Sequence, residues 1–107
     1  MITIEEPVIT IFDLECKLLD DKKQIGSIEF LYENDKTIYI ESFYLDKEYR
    51  NKGIGTKIFN EFITKYITKE VQEINLTATK EAIRFWSKLG FLLKNNENLM
   101  ELKFKFS

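Results

Sequence analysis

At 107 residues the chain has room for one core, since a typical domain takes roughly 100 to 150 residues, and a second domain is excluded. Its 44% hydrophobic and 14% aromatic content supplies the apolar surface that offsets chain entropy, which excludes a disordered chain despite 32% charged residues. A net charge of -2 and a pI near 5.3 argue against a nucleic-acid partner, and the lack of histidine excludes Ser/His and Cys/His nucleophiles and histidine-ligated metal sites, so no metal is expected.

Residues 1–7 show neither a basic n-region nor an apolar h-region, and no apolar run approaches the ~20 residues that cross a bilayer. The expected location is cytoplasmic, with no membrane role. Residues 8–18 alternate at period two, with Val8, Thr10, Phe12, Leu14 and Cys16 on one face, and read as the first strand. Cys16 is the only cysteine, so no intrachain disulfide forms; in an apolar strand without an activating histidine it reads as a structural residue rather than an acyl-carrying nucleophile. After a turn at 20–23, residues 24–32 and 36–45 read as two more strands joined by Glu33, Asn34 and Asp35, giving an antiparallel meander.

From Asn51 the period changes. Ile54, Ile58, Phe59, Phe62, Ile63, Tyr66 and Ile67 recur at helical spacing. Residues 71–78 predict a short strand, and 80–89 a second helix with Ala82, Ile83, Trp86 and Leu89 inward and Gly90 at its left-handed cap. Residues 99–106 read as the closing strand. The order β-β-β-α-β-α-β describes an α/β fold, a mixed sheet with helices on its faces. Without repeats, low-complexity tracts or linkers, a single domain is expected over 1–107.

Charge is unevenly spread along this order. Residues 1–46 carry a balance of -7 and residues 47–107 one of +5, which favours an anionic ligand on the second half and a cationic one near the first. Plain solvated surface charge is the competing explanation.

The most informative segment runs from Ile40 to Thr56, a strand feeding a tight turn that opens a helix. The first helical N–H groups lack intrahelical partners and the helix dipole favours an anion by ~0.3 to 1 kcal/mol. Gly53 and Gly55 leave that backbone uncovered, while Arg50, Lys52 and Lys57 add charge. A Walker A loop is ruled out by the order Gly55-Thr56-Lys57, and a dinucleotide fingerprint by Ile58 where its third glycine would stand.

The turn Arg50-x-x-Gly53-x-Gly55, preceded by Phe43-x-Leu45, resembles the cofactor signature of the GNAT superfamily of acetyl-CoA-dependent N-acetyltransferases. Residues 79–91, Thr79-Lys80-Glu81-Ala82-Ile83-Arg84-Phe85-Trp86-Ser87-Lys88-Leu89-Gly90-Phe91, resemble that family's later motif. Two motifs in order and at the expected spacing carry the resemblance, which covers residue 8 to the C-terminus. It implies a GNAT-like acyl-CoA N-acyltransferase fold and acetyl-CoA as co-substrate. It also implies a short form of the family, because only residues 1–7 precede the first strand read here, where members carry a strand and two helices beside the acceptor site. A homodimer partner or a macromolecular acceptor would then supply that wall.

In similar enzymes the strand before the turn splays from its neighbour, and its backbone bonds the pantetheine arm. The resemblance thus assigns Phe43, Tyr44 and Leu45 to the arm, the Leu45 N–H to the thioester oxygen, and Arg50, Asn51, Lys52, Gly53, Ile54, Gly55 and Thr56 to the pyrophosphate. Thr79 and Trp86 fall at further cofactor positions of the second motif. There Thr79 replaces the common asparagine and Trp86 the common tyrosine, and an indole N–H is no general acid at neutral pH. Protonation of the leaving thiolate passes to another tyrosine, the departing ammonium or solvent. Glu41, four residues before Leu45, is the candidate catalytic base; a solvated strand carboxylate is the alternative.

The leading expectation is acetyl transfer to a primary amine, in a small molecule such as a polyamine or amino sugar, or in a protein lysine. The alternatives are a non-catalytic CoA-binding regulatory module and a small protein-directed acetyltransferase acting as an inhibitor or toxin.

Overall fold

The computed structural model describes residues 1–93 and 101–106. The chain folds as two compact units. The first comprises Met1–Phe30 and Ser42–Thr68; the second comprises Leu31–Glu41 and the described residues from Lys69 onward.

In the first unit, β1 (Ile2–Ile4), β2 (Val8–Ile9) and the start of β4 (Lys23–Asn34) all pair antiparallel with β3 (Leu14–Asp20), through registers such as Ile4↔Leu18, Val8↔Glu15 and Cys16↔Ile28. The single strand expected over 8–18 is therefore two strands joined by a turn. Thr10 causes the break: its Oγ1 accepts the N–H groups of Phe12 and Asp13 at 3.2 and 3.0 Å and donates to Asp13 Oδ1 at 2.7 Å. Such local side-chain bonding offers the backbone an alternative to the ladder. Phe12, expected on one face with Leu14 and Cys16, is instead exposed at the tip together with Ile11. β1 is a further departure, lying within the 1–7 segment to which no element was assigned.

Helix α1 (Ile54–Tyr66) buries Ile58, Phe59 and Phe62, the face its apolar spacing predicts. Phe62 meets Phe30 of β4 edge-on at 5.0 Å, and Phe59 stacks on Phe43 at 6.2 Å. Fully burying such side chains contributes about 1.5 to 3 kcal/mol each. The last turn is fastened by Tyr66, whose hydroxyl donates to the Ile4 carbonyl at 2.9 Å.

In the second unit, β5 (Thr37–Leu45) runs parallel to β6 (Glu73–Thr77), and β6 runs antiparallel to β8 (Glu101–Lys105), which also pairs with β7 (Leu92–Leu93). β4 and β5 each pass from one unit into the other. The mixture of parallel and antiparallel pairs, with two α-helices, agrees with the expected class. The order is corrected to β-β-β-β-β-α-β-α-β-β, because β1, the split of the first strand and β7 were not foreseen. The closing strand expected over 99–106 is β8; residues 99 and 100 lie outside the described residues.

The helix expected over 80–89 divides into a 3₁₀ turn, Lys80–Ala82, and α2 (Ile83–Lys88). It ends in a Schellman cap: Gly90 N–H donates to Ser87 O at 3.0 Å and Phe91 N–H to Trp86 O at 3.1 Å. Gly90 has φ 105°, and a Cβ there would lie 2.8 Å from the Phe104 ring. Trp86 packs edge-on against Phe85 and Phe91, which in turn meets Phe104.

Candidate acetyl-CoA site

The site begins with a strand that outruns its partner. Pairing of β5 with β6 ends at Ile40↔Leu76, yet β5 continues to Leu45. The β5–β6 ladder thus stops short of residues 41–45. On the other side the end of β5 is close to β4, where Asp46 N–H donates to the Ile25 carbonyl at 2.7 Å. Gly26 makes this approach feasible, since an added Cβ would lie only 2.1 Å from the Tyr44 carbonyl oxygen. An extended edge that continues past its ladder is a template for another extended chain.

A 3₁₀ turn, Lys47–Tyr49, then redirects the backbone. Arg50 ties its exit back to the strand: its Nε donates to the Leu45 carbonyl at 2.6 Å, and its guanidinium lies 5.2 Å from the Tyr44 ring centroid. Sequence reasoning saw Arg50 only as a charge for the ligand and gave Gly26 no role. A lone glycine inside a strand pattern was the available signal for Gly26; no signal in the sequence pointed to the Arg50 bond.

Beyond Arg50 the chain twice enters the left-handed region, at Asn51 with φ 60° and at Gly53 with φ 77°. Asparagine tolerates that conformation and glycine adopts it freely. Gly53 is the N-cap of α1, so no side chain caps the helix, and the first intrahelical bond is Lys57 N–H to Gly53 O at 3.3 Å. The amides of Asn51, Lys52, Gly53, Ile54, Gly55 and Thr56 consequently have no acceptor among the described residues. A Cβ added at Gly53 would meet nothing within 4 Å, and Asn51, Lys52 and Thr56 are exposed. Lys57 follows, also exposed, and no acidic residue stands in the first turn. Six open donors with two nearby cations can hold a diphosphate.

The other expected site residues have varied surroundings. Glu41 is exposed on β5, and its carboxylate makes no hydrogen bond or ion pair with a described residue. Phe43 is half-buried against Phe59, Tyr44 is 49% exposed, and Leu45 is buried. Thr79 is exposed ahead of the 3₁₀ turn, accepting the Ala82 N–H at its carbonyl at 3.0 Å. Trp86 is 6% exposed within the aromatic cluster. Burial pushes the Cys16 thiol up to about 12, which keeps it protonated and inert at neutral pH. Among the described residues no group of His, Cys, Asp and Glu is arranged to hold a metal ion, and no helix is long and apolar enough to cross a membrane.

A family model described as the acetyltransferase (GNAT) family matches residues 6–91. No curated protein matches the sequence. Among solved structures, the PaiA N-acetyltransferase of Thermoplasma acidophilum in complex with coenzyme A is 22% identical, with a TM-score of 0.76 over 86% of this chain and 60% of its own. A GNAT family acetyltransferase from Elizabethkingia anophelis with acetyl-CoA bound is 14% identical, with a TM-score of 0.80 over 98% of both chains. Tetrahymena GCN5 is 17% identical, with a TM-score of 0.77 over 92% of this chain and 71% of its own. These likenesses show a shared fold.

Proposed function

Because the chain belongs to the GNAT acetyltransferase family, we propose that it transfers acetyl from acetyl-CoA to a primary amine by direct attack in a ternary complex. The observation that carries this reading is the β5 edge over 41–45, past the end of its ladder with β6, leading into six amides at 51–56 that have no acceptor among the described residues. The edge suits the pantetheine arm and the amides suit the diphosphate, as in an added strand ending on an anion hole. Thr79 is assigned to the cofactor by motif position, whereas Trp86, 6% exposed within the aromatic cluster, is assigned to the core of that motif.

The acceptor amine attacks the thioester carbonyl carbon. A C–N bond forms, the carbonyl oxygen takes negative charge, and the C–S bond then breaks to release the CoA thiolate. The Leu45 N–H is assigned to the oxyanion, where a preoriented donor counts most. An alkylamine with pKa near 10.4 is neutral in only about one molecule in 2,500 at pH 7, equivalent to ~4.6 kcal/mol, so removal of its proton is a large part of the barrier. Glu41 is assigned to receive that proton, directly or through water; an exposed carboxylate without a partner among the described residues suits a base that must meet an incoming cation. The thiolate takes its proton from the departing ammonium, another tyrosine or solvent, since an indole at position 86 supplies none.

The decisive assay follows free thiol released from acetyl-CoA across a panel of polyamines, amino sugars and lysine peptides. Amine-dependent release with an N-acetylated product by mass spectrometry is expected. Saturable acetyl-CoA binding without release from any amine would instead identify a non-catalytic CoA-binding module.

A further inference from the structure

The second unit holds a polar cluster that acetyl transfer does not use. Asn75, in the middle of β6, is only 7% exposed, the one buried polar residue among the described residues. Its Nδ2 donates to Glu33 Oε1 at 3.2 Å and to Glu73 Oε2 at 3.0 Å, which occupies both amide hydrogens. Its Oδ1 is buried and finds no donor among the described residues. A buried acceptor left without a donor is costly, so a fold that keeps it calls for a donor from outside the chain.

That amide lines a cleft of about 130 Å³ with Glu33, Tyr39, Leu76 and Glu101. The Tyr39 hydroxyl is engaged with Thr77 Oγ1 at 2.7 Å. The Glu33 and Glu101 carboxylates and Asn75 Oδ1 are all acceptors, so the complementary ligand is a cation rich in N–H groups. Lys103 and Lys105 stand opposite Asn75 and Glu73 in β8, yet neither forms an ion pair with Glu33, Glu73 or Glu101 among the described residues. Among the described residues no group of three or more His, Cys, Asp and Glu is arranged to hold a metal ion. The volume exceeds the ~30 Å³ share of one water and accommodates an ammonium with a short alkyl chain.

We propose that this cleft binds the primary ammonium group of a small alkylammonium ion through Asn75 Oδ1, Glu33 and Glu101. A primary ammonium carries three donors for these three acceptors, and its charge offsets the carboxylates.

The test is an NMR titration of isotope-labelled protein with n-butylammonium chloride at constant ionic strength, without acetyl-CoA. Its outcome is thus separate from that of acetyl transfer. The expected result is a saturable shift of the Asn75 side-chain amide that tetramethylammonium, which lacks N–H groups, and magnesium chloride do not produce. Asn75→Leu should abolish binding. Glu101→Gln, at a half-buried position where the shape is preserved, should weaken it about tenfold or more, as expected for one hydrogen bond to a charged group. The proposal is overturned by an absent saturable shift, with water alone satisfying Asn75. It is equally overturned by the same shift from magnesium or tetramethylammonium, or by unchanged affinity in folded Glu101→Gln.

Discussion

Gly53 and Gly90 both take a positive φ, 77° and 105°, yet the amides around them end in opposite states. Around Gly53 no side chain caps the helix, nothing crowds the position, and the amides from Asn51 to Thr56 are left without acceptors among the described residues. Around Gly90 the amides close a Schellman cap, and the missing Cβ makes room for Phe104. The first motif leaves its backbone donors open; the second uses its backbone and Trp86 to complete a core. A glycine motif therefore does not define its own role, and where the neighbouring N–H groups point decides it.

The contrast breaks most directly at Trp86. Trp86→Ala should cost about 3 to 5 kcal/mol of stability in urea denaturation, the usual range for a buried large aromatic; a loss below about 1 kcal/mol would contradict its role as core. If the second motif is scaffold, the chemistry falls to the β5 strand. Glu41→Gln should then lower turnover about 10²-fold, most at low pH, with acetyl-CoA affinity unchanged. Equal rates for the variant and wild type would remove Glu41 from the mechanism.

The two glycines sharpen the comparison with smaller effects. Both alanine variants bear left-handed strain of roughly 1 to 2 kcal/mol, but Gly90→Ala adds a clash with Phe104 and should be the less stable of the two by thermal denaturation. Gly53→Ala, in open space, should instead lose acetyl-CoA affinity by about tenfold in calorimetry, as one impaired hydrogen bond to a charged group implies. The reverse ranking of stabilities would contradict the contrast.

The smallest effect concerns the turn before the first motif. The Tyr49 hydroxyl donates to Asp20 Oδ2 at 2.7 Å, which with the N-terminal ammonium holds the Asp20 carboxyl below its usual range and pushes the Tyr49 phenol up to about 12. A carboxylate depressed in the folded state contributes stability above its unfolded pKa and loses it as pH falls through the folded value. The stability advantage of wild type over Tyr49→Phe should thus be full at about pH 7 and shrink below about pH 4, the ordinary range of aspartate, as read from urea midpoints.

Much of this architecture was legible from local pattern. β4, β5, α1 and β6 announce themselves by period and turn chemistry, and the Gly53 turn by spacing, because each depends on residues adjacent in sequence. β1 and β7 did not, since runs of two or three residues carry no period. The Thr10 turn was hidden inside an alternation that continued through it. The Arg50 bond to Leu45 and the cleft at Asn75 escaped for another reason: each requires knowing which backbone groups or neighbouring strands a side chain reaches. Gly26 was readable only as a local irregularity, its closeness to Tyr44 being a tertiary fact.

The central claim concerns the amides of residues 51–56, and backbone NMR observes them one by one. On titration with acetyl-CoA, those six resonances and that of Leu45 should move saturably and together, the 51–56 group downfield as it gains phosphate acceptors, while Gly90 and Phe91, already bonded within their cap, move least. Saturable binding that leaves the 51–56 amides unshifted would contradict the account.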